Sequence, residues 1–176
     1  MPAARGRIGI FNRSYYEDVL VVKVHPELLD RQKLPGKRGA GFWQKRYEDI
    51  NAFEHHLVRN GTLILKFFLH ISKDEQKQRF LERLENPDKH WKFSEADLAE
   101  RAFWDEYTET FEDMLSATST KWAPWYVIPA DSKWVSRTVV ADILTTGIKS
   151  LHLKFPKVSE EKRTALAEAK KQLDQE

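Results

Sequence analysis

Near its start the chain reads Arg7-Ile8-Gly9-Ile10-Phe11-Asn12-Arg13-Ser14, and this run sets the expected class of fold. Residues 8–11 are apolar and predict a short buried strand. The polar pair Asn12-Arg13 follows, directly before a predicted helix start, at the end of a strand where α/β folds place ligands. The phosphate-cradling pattern Gly-x-x-x-x-Gly-Lys-Ser/Thr does not occur anywhere in the sequence.

Composition narrows the class of protein. The 176 residues suit a single domain, the net charge is only +2, and there is no cysteine. The lack of cysteine excludes disulfides and thiolate metal sites, and the weak net charge disfavours a nucleic-acid binder. No apolar run approaches the roughly 20 residues of a membrane span, and residues 1–6 lack the apolar core of a signal peptide. We therefore expect a cytoplasmic protein that binds neither membranes nor nucleic acid.

Hydrophobic periodicity and capping residues predict strands that alternate with helices. The predicted strands are residues 8–11, 62–71 and 125–130. The predicted helices are residues 14–24, 42–60, 72–85, 94–117, 133–153 and 159–172, with loops at 26–41 and 86–93. This order indicates a parallel sheet with helices on both faces. Three strands are few for such a sheet, so we expect part of it to be missing from this chain.

The first candidate site is the pair Asn12-Arg13. Backbone N–H groups at a helix N-terminus favour an anion, and the guanidinium of Arg13 is suited to hold two phosphate oxygens. The alternative is structural, with Asn12 as a helix cap and Arg13 in a salt bridge.

A second group of cations lies in and after the helix predicted at 72–85. Arg79 and Arg83 are four residues apart and therefore share one helix face. Lys89 and Lys92 follow in the next loop. Cations on a helix and the loop after it are suited to close over a polyanion and to neutralise the negative charge that develops in phosphoryl transfer. The alternative is a solvated face that pairs with neighbouring glutamates.

Other candidates are weaker. The basic loop 31–38 contains Arg31, Lys33, Lys37 and Arg38 and is either solvated or part of a track for an anionic chain. The pair His55-His56 is expected at the surface, because it lies on a polar helix face, and the other four histidines lack metal-ligand spacing. Asp131 follows the last predicted strand and either orients a substrate group or caps the helix that begins near residue 133.

Four segments in order resemble the polyphosphate kinase 2 family. GRIGIFNRSYYEDVL (6–20) resembles its Walker B segment, and KFFLHISKDEQ (66–76) its next strand and helix. KHWKFS (89–94) resembles its lid, and WAPWYVIPAD (122–131) its last strand with the loop that follows. The resemblance extends over residues 6–156. It implies a P-loop kinase-like fold related to thymidylate kinase, with a lid at about 79–94 and a charged helical tail at 157–176.

The resemblance also implies a chemistry. It is Mg²⁺-dependent phosphoryl transfer between inorganic polyphosphate and a nucleoside mono- or diphosphate such as AMP or ADP. By position, Asn12 and Arg13 take the catalytic places, with Arg13 on phosphate. The residues expected to bind phosphate through the lid are Arg79, Arg83, Lys89 and Lys92. The family also implies self-association into a homo-oligomer.

Two departures from the family pattern qualify these expectations. Many members carry Asp at the position of Asn12, and a neutral amide is a weaker ligand for Mg²⁺. The Walker A loop and its strand should precede Gly6, so we expect an N-terminally incomplete domain that is marginally stable and weakly active or inactive alone. One alternative is a non-catalytic remnant or subunit that binds polyphosphate or nucleotide. Another is an ATP-dependent nucleoside monophosphate kinase. The acceptor and its base are not predicted.

Overall fold

The computed structural model describes residues 6–32 and 39–175, in which two parallel strands are combined with helices. The chain divides into two compact units, Met1–Leu144 and Thr145–Glu176. The strands are β1 (Lys66–His70) and β2 (Trp125–Pro129). The α-helices are α1 (Val21–Val24), α2 (Leu28–Arg31), α3 (Phe42–Arg59), α4 (Lys73–Glu85), α5 (Glu95–Glu100), α6 (Trp104–Thr118), α7 (Lys133–Ser150) and α8 (Glu160–Leu173). The 3₁₀ helices are Ser14–Val19, Pro87–Lys92 and Arg101–Phe103.

The sheet confirms the α/β class with parallel strands. Lys66 pairs with Trp125 at one end of the ladder and His70 with Pro129 at the other. The N–H of Ala130 continues the pairing by donating to the carbonyl of His70 at 2.8 Å. Both strands therefore end together, and the polar residues that follow them meet at one edge of the sheet.

The strand predicted at residues 8–11 is wrong. This segment has no ladder partner within the described residues, and Ile8 and Ile10 are 77% and 93% exposed. An apolar run becomes a strand only when a neighbour satisfies its backbone groups, and none of the described strands lies beside it. The helix predicted at 14–24 is instead a 3₁₀ helix followed by α1.

Local signals predicted several helix ends correctly. α3 ends at Arg59, with Asn60 as its C-cap and Gly61 at φ +84°, a left-handed conformation that glycine adopts without steric cost. Ser72 caps α4 by accepting the N–H of Glu75 at 3.1 Å. Ser159 caps α8 in the same way through the N–H of Lys162.

Other boundaries differ from the prediction. The loop predicted at 26–41 contains α2, whose Leu29 is buried; residues 33–38, with Lys33, Lys37 and Arg38, lie outside the described residues. The helix predicted at 94–117 is α5, a 3₁₀ turn and α6. The loop predicted at 86–93 contains a 3₁₀ helix that Asn86 caps. α7 ends at Ser150 rather than at residue 153.

The core lies between α3, α6 and the segment that follows Arg13. Its buried members are Tyr16, Val19, Leu20, Tyr47, Ile50 and Met114. Trp43 and Trp125 pack against this cluster from its margin. Among the described residues, no helix has the length and hydropathy that a membrane crossing requires.

Candidate functional site

The Asn12-Arg13 pair lies in a strained turn. Arg13 has φ 63° and ψ −52°, and Ser14 has φ 57°. Residues other than glycine rarely adopt such backbone angles. Each such residue costs about 1–3 kcal/mol and persists where the surrounding structure enforces it. Ser14 N–H donates to the carbonyl of Asn12 at 2.8 Å, and Tyr16 N–H donates to that of Arg13 at 3.2 Å. Strain of this kind concentrates at functional sites.

The guanidinium of Arg13 is available to solvent. Its Nη1 contacts the carboxylate of Glu17 at 3.1 Å, while the Arg13 side chain is 66% exposed. The salt bridge offered as the structural alternative is therefore present. Exposed pairs of this kind contribute little stability, so an incoming phosphate can compete with Glu17 for Arg13. No side-chain cap is found for the 3₁₀ helix Ser14–Val19 within the described residues, and Glu17 is held by Arg13.

A polar cluster that sequence reasoning missed joins α1 to α5 and α6. His25 Nε2 lies 2.9 Å from Glu100 Oε2, and Tyr107 donates its hydroxyl to the same oxygen at 2.8 Å. Burial opposes ionisation of Glu100, but the hydrogen bonds from His25 and Tyr107 hold its pKa below the ordinary value. Burial, followed by the bond to Glu100, raises the pKa of Tyr107.

The four cations predicted to form the lid are not equivalent. Arg79 Nε contacts Glu75 at 2.7 Å, and its Nη2 donates to the carbonyls of Ala130 and Asp131 at 2.6 and 3.3 Å. Its guanidinium therefore ties α4 to the loop after β2. Arg83 packs over the ring of Phe80.

Lys89 and Lys92 lie in the 3₁₀ helix that follows α4. Both are exposed, and Lys92 packs over the ring of Trp91 with 4.8 Å between Nζ and the ring centroid. Because their ammonium groups face solvent, these two lysines are the lid cations most open to an incoming polyanion.

A cavity of about 340 Å³ opens at the carboxyl ends of β1 and β2. Its lining residues are His70, Ser72, Pro129, Ala130, Asp131, Ser132 and Val135. Asp131 Oδ1 accepts the backbone N–H of Ser72 at 2.7 Å. Asp131 therefore serves the N-terminus of α4, and the prediction that it caps the helix near residue 133 is wrong.

A second missed cluster is buried under the strained turn. Glu54 of α3 is fully buried, and its Oε1 accepts the hydroxyls of Tyr15 and Tyr16 at 2.8 and 2.7 Å. Lys66 of β1 donates to Glu54 Oε2 at 2.6 Å and to the carbonyl of Thr118 at 2.8 Å. The one signal for it in the sequence is Lys66, a charge inside an otherwise apolar run.

The electrostatics of this cluster follow from burial. Desolvation lowers the pKa of Lys66, although the Glu54 carboxylate opposes that shift. Burial and the contact with Glu54 raise the pKa of both Tyr15 and Tyr16. The two phenols therefore remain protonated hydrogen-bond donors at neutral pH.

The described donor set does not fit a Mg²⁺ site built from protein alone. Within the described ranges, no three His, Cys, Asp or Glu side chains are grouped to hold a metal. Asn12 supplies a neutral amide, and one oxygen of Asp131 is already used by Ser72. Mg²⁺ in phosphoryl-transfer enzymes is commonly bound by one or two carboxylates together with substrate phosphates, so we derive no step through the metal.

Comparison with known proteins identifies the family of this chain. The family model described as polyphosphate kinase 2 matches residues 1–156. The ADP-polyphosphate phosphotransferase of Rhodopseudomonas palustris is 48% identical over 171 residues, covering 96% of this chain and 59% of the relative. The AMP/ADP-polyphosphate phosphotransferase of Meiothermus ruber is 50% identical over 152 residues, covering 86% of this chain and 53% of the relative.

A solved structure gives the same result. The crystal structure of polyphosphate kinase 2 from Arthrobacter aurescens superposes with a TM-score of 0.84 and 42% sequence identity. The superposition covers 95% of this chain and 56% of that one. This chain therefore spans a little over half the length of these relatives, and its fold and family follow from the match.

Proposed function

The chain belongs to the polyphosphate kinase 2 family, and from this premise we propose that it transfers phosphoryl groups between inorganic polyphosphate and AMP or ADP. The match over residues 1–156 carries the proposal. The printed names of the two relatives specify ADP in one case and AMP or ADP in the other, which supports these acceptors. We further propose a P-loop kinase-like fold, for which the parallel pair β1 and β2 is the structural support.

The proposed roles divide the site into two parts. Asn12 and Arg13 act at the reacting phosphate, because the strained turn presents an exposed guanidinium that can form a bidentate contact. The lid at about 79–94 holds polyphosphate by charge, chiefly through the exposed Lys89 and Lys92. Polyphosphate offers only repeated negative charge, so electrostatic attraction suffices for its recognition and weakens as salt is added.

We propose that Arg79 contributes to the site indirectly. Three of its hydrogen bonds are committed to Glu75 and to the carbonyls after β2. It therefore holds the cavity edge in place while Arg83 and the two lysines meet the polyanion. Mg²⁺ is proposed to arrive bound to the phosphates, because the part of the chain that the structure describes has no group of three His, Cys, Asp or Glu side chains to hold it. The homo-oligomer and the cytoplasmic location stay predictions.

The test is phosphoryl transfer by the purified chain with Mg²⁺, long-chain polyphosphate and AMP or ADP, followed by ³¹P NMR. Arg13→Gln is the site variant, and Lys45→Gln, which changes an exposed cation on α3, is the matched control. Product formed by the wild type and the control but lost in Arg13→Gln supports the proposal. Transfer from ATP but not from polyphosphate identifies a nucleoside monophosphate kinase instead.

A polyphosphate-binding measurement distinguishes the remaining alternative, a non-catalytic binder, from the proposed enzyme. A folded chain that binds polyphosphate without turnover is the non-catalytic binder anticipated from the sequence. The exposed Lys89 and Lys92 support binding of a polyanion whether or not transfer follows. A folded chain that neither binds polyphosphate nor forms product overturns both readings.

A further inference from the structure

The buried cluster under the candidate site reaches the strained turn directly. Tyr15 and Tyr16 follow Arg13 and Ser14 in the chain, and their hydroxyls converge on one oxygen of Glu54 at 2.8 and 2.7 Å. Glu54 lies on α3, about forty residues further along the chain, and has no solvent exposure. The backbone that leaves the turn is therefore fastened at two successive side chains to a single buried carboxylate.

The second oxygen of Glu54 is held from the sheet. Lys66 Nζ lies 2.6 Å from it, 2.8 Å from the carbonyl of Thr118 and 3.0 Å from the hydroxyl of Tyr16. Each polar group in this cluster therefore has a partner. A buried ion pair often contributes no more stability than an apolar replacement would, so stability alone does not account for this one.

The turn itself has little local support. Within the described residues, its local interactions are the backbone hydrogen bonds donated by the N–H groups of Ser14 and Tyr16 and the exposed contact between Arg13 and Glu17. No side chain there caps the following 3₁₀ helix. Positive φ angles at Arg13 and Ser14 are costly without glycine. Something outside the turn must hold it, and the two anchored phenols are the nearest fixed points along the chain.

We propose that Glu54 is a positioning residue that holds the strained turn at Arg13 and Ser14 through the hydroxyls of Tyr15 and Tyr16. By fixing this backbone, it sets where the Arg13 guanidinium meets phosphate. The expected effect on phosphate binding rests on the proposed function, whereas the effect on the conformation of the turn does not. Lys66 has the supporting role of holding the Glu54 carboxylate in place from the sheet.

The test removes one hydroxyl at a time and leaves the Glu54–Lys66 pair in place. Tyr15→Phe is the first variant, because within the described residues the Tyr15 hydroxyl bonds to Glu54 alone, and Tyr16→Phe is the second. The matched control is Tyr47→Phe, since Tyr47 is buried in the same core but its hydroxyl contacts Lys23 at 3.5 Å. Amide hydrogen exchange at Ser14 and Tyr16, followed by NMR, reports the turn without any ligand.

We expect exchange at these two amides to accelerate about tenfold or more in Tyr15→Phe and Tyr16→Phe, as local opening becomes easier. Tyr47→Phe should leave it unchanged. Polyphosphate affinity, measured by calorimetry, should fall about threefold to tenfold in the two turn variants, because a displaced guanidinium loses its alignment. Glu54→Gln combined with Lys66→Met should keep exchange as slow as in the wild type, since the Gln carbonyl still accepts both hydroxyls.

The outcomes separate this inference from the proposed function. Wild-type exchange in both turn variants, or equal acceleration in Tyr47→Phe, overturns the positioning role whatever the chain binds. Polyphosphate affinity that is reduced in Arg13→Gln but unchanged in both turn variants also overturns it. Affinity unchanged in Arg13→Gln overturns the proposed role of Arg13 in phosphate binding, while the exchange result still decides whether Glu54 holds the turn.

Discussion

Replacing Lys66 by Met should destabilise the protein far more than a surface substitution would. Lys66 is 6% exposed and Glu54 is fully buried, with 2.6 Å between their charged atoms. Met fills most of the space of the Lys stem but removes the charge, so Glu54 is left in the core without its cation. Breaking a buried pair in this way costs about 3–5 kcal/mol.

That cost translates into a large thermal shift. In a chain of this size each kcal/mol lowers Tm by about 2–4 °C, so Lys66→Met should lower Tm by roughly 6–20 °C. Circular dichroism at 222 nm, followed during heating and urea titration, gives both Tm and the free energy of unfolding. Lys45→Met, on an exposed position of α3, is the matched control and should change the free energy of unfolding by less than about 0.5 kcal/mol.

A double variant tests the reasoning itself. Glu54→Gln with Lys66→Met removes both charges but keeps an oxygen that accepts the hydroxyls of Tyr15 and Tyr16. Replacing a whole buried pair is commonly close to neutral, so the double variant should recover more than half of the stability lost in Lys66→Met. A loss below about 1 kcal/mol in the single variant, or a double variant less stable than the single, would refute the argument that an uncompensated buried charge dominates.

Three further outcomes follow from the structure. Arg79→Ala should lower the free energy of unfolding by about 1–3 kcal/mol in urea titration, because the carbonyls after β2 lose a charged donor; an unchanged midpoint would contradict its tying role. Lys89→Gln with Lys92→Gln should leave Tm unchanged and weaken polyphosphate binding at low salt, with the difference from wild type shrinking as ionic strength rises in calorimetry. Burial and Glu54 raise the folded-state pKa of Tyr16 above its ordinary 10.0, so the unfolded chain releases that proton first and stability falls as pH rises above about 10. Tyr16→Phe should therefore show a shallower alkaline loss than wild type in urea titrations at pH 9 to 11, and equal slopes would contradict the shift.

Sequence reasoning succeeded where a structure depends on residues close together in the chain. The end of α3 at Asn60 and Gly61 and the start of α4 at Ser72 are set by contacts within four residues, and both were predicted. The cores of β1 and β2 also followed from short apolar runs, although each strand is shorter than its apolar run. Where the interacting residues lie within one helical turn of each other, the local sequence is sufficient to predict the structure.

The prediction failed where a residue depends on distant partners. Residues 8–11 have the pattern of a strand, but no described strand pairs with them, so their apolar side chains remain exposed. Glu54 looks like one of many helix glutamates, and nothing near it in sequence reveals that Lys66 and Tyr16 meet it in the core. A one-dimensional pattern cannot show which polar residue finds a buried partner.

The lid cations show how this limit affects function. Spacing correctly placed Arg79 and Arg83 on one helix, but it assigned them the same role. Arg79 reaches carbonyls about fifty residues away, whereas Lys89 and Lys92 face solvent. In the proposed division of roles, charge that is committed to backbone carbonyls supports the shape of the site, and charge that faces solvent is available to a polyanion. We therefore expect Arg79→Ala to lower stability. Lys89→Gln with Lys92→Gln should weaken only the salt-dependent affinity for polyphosphate.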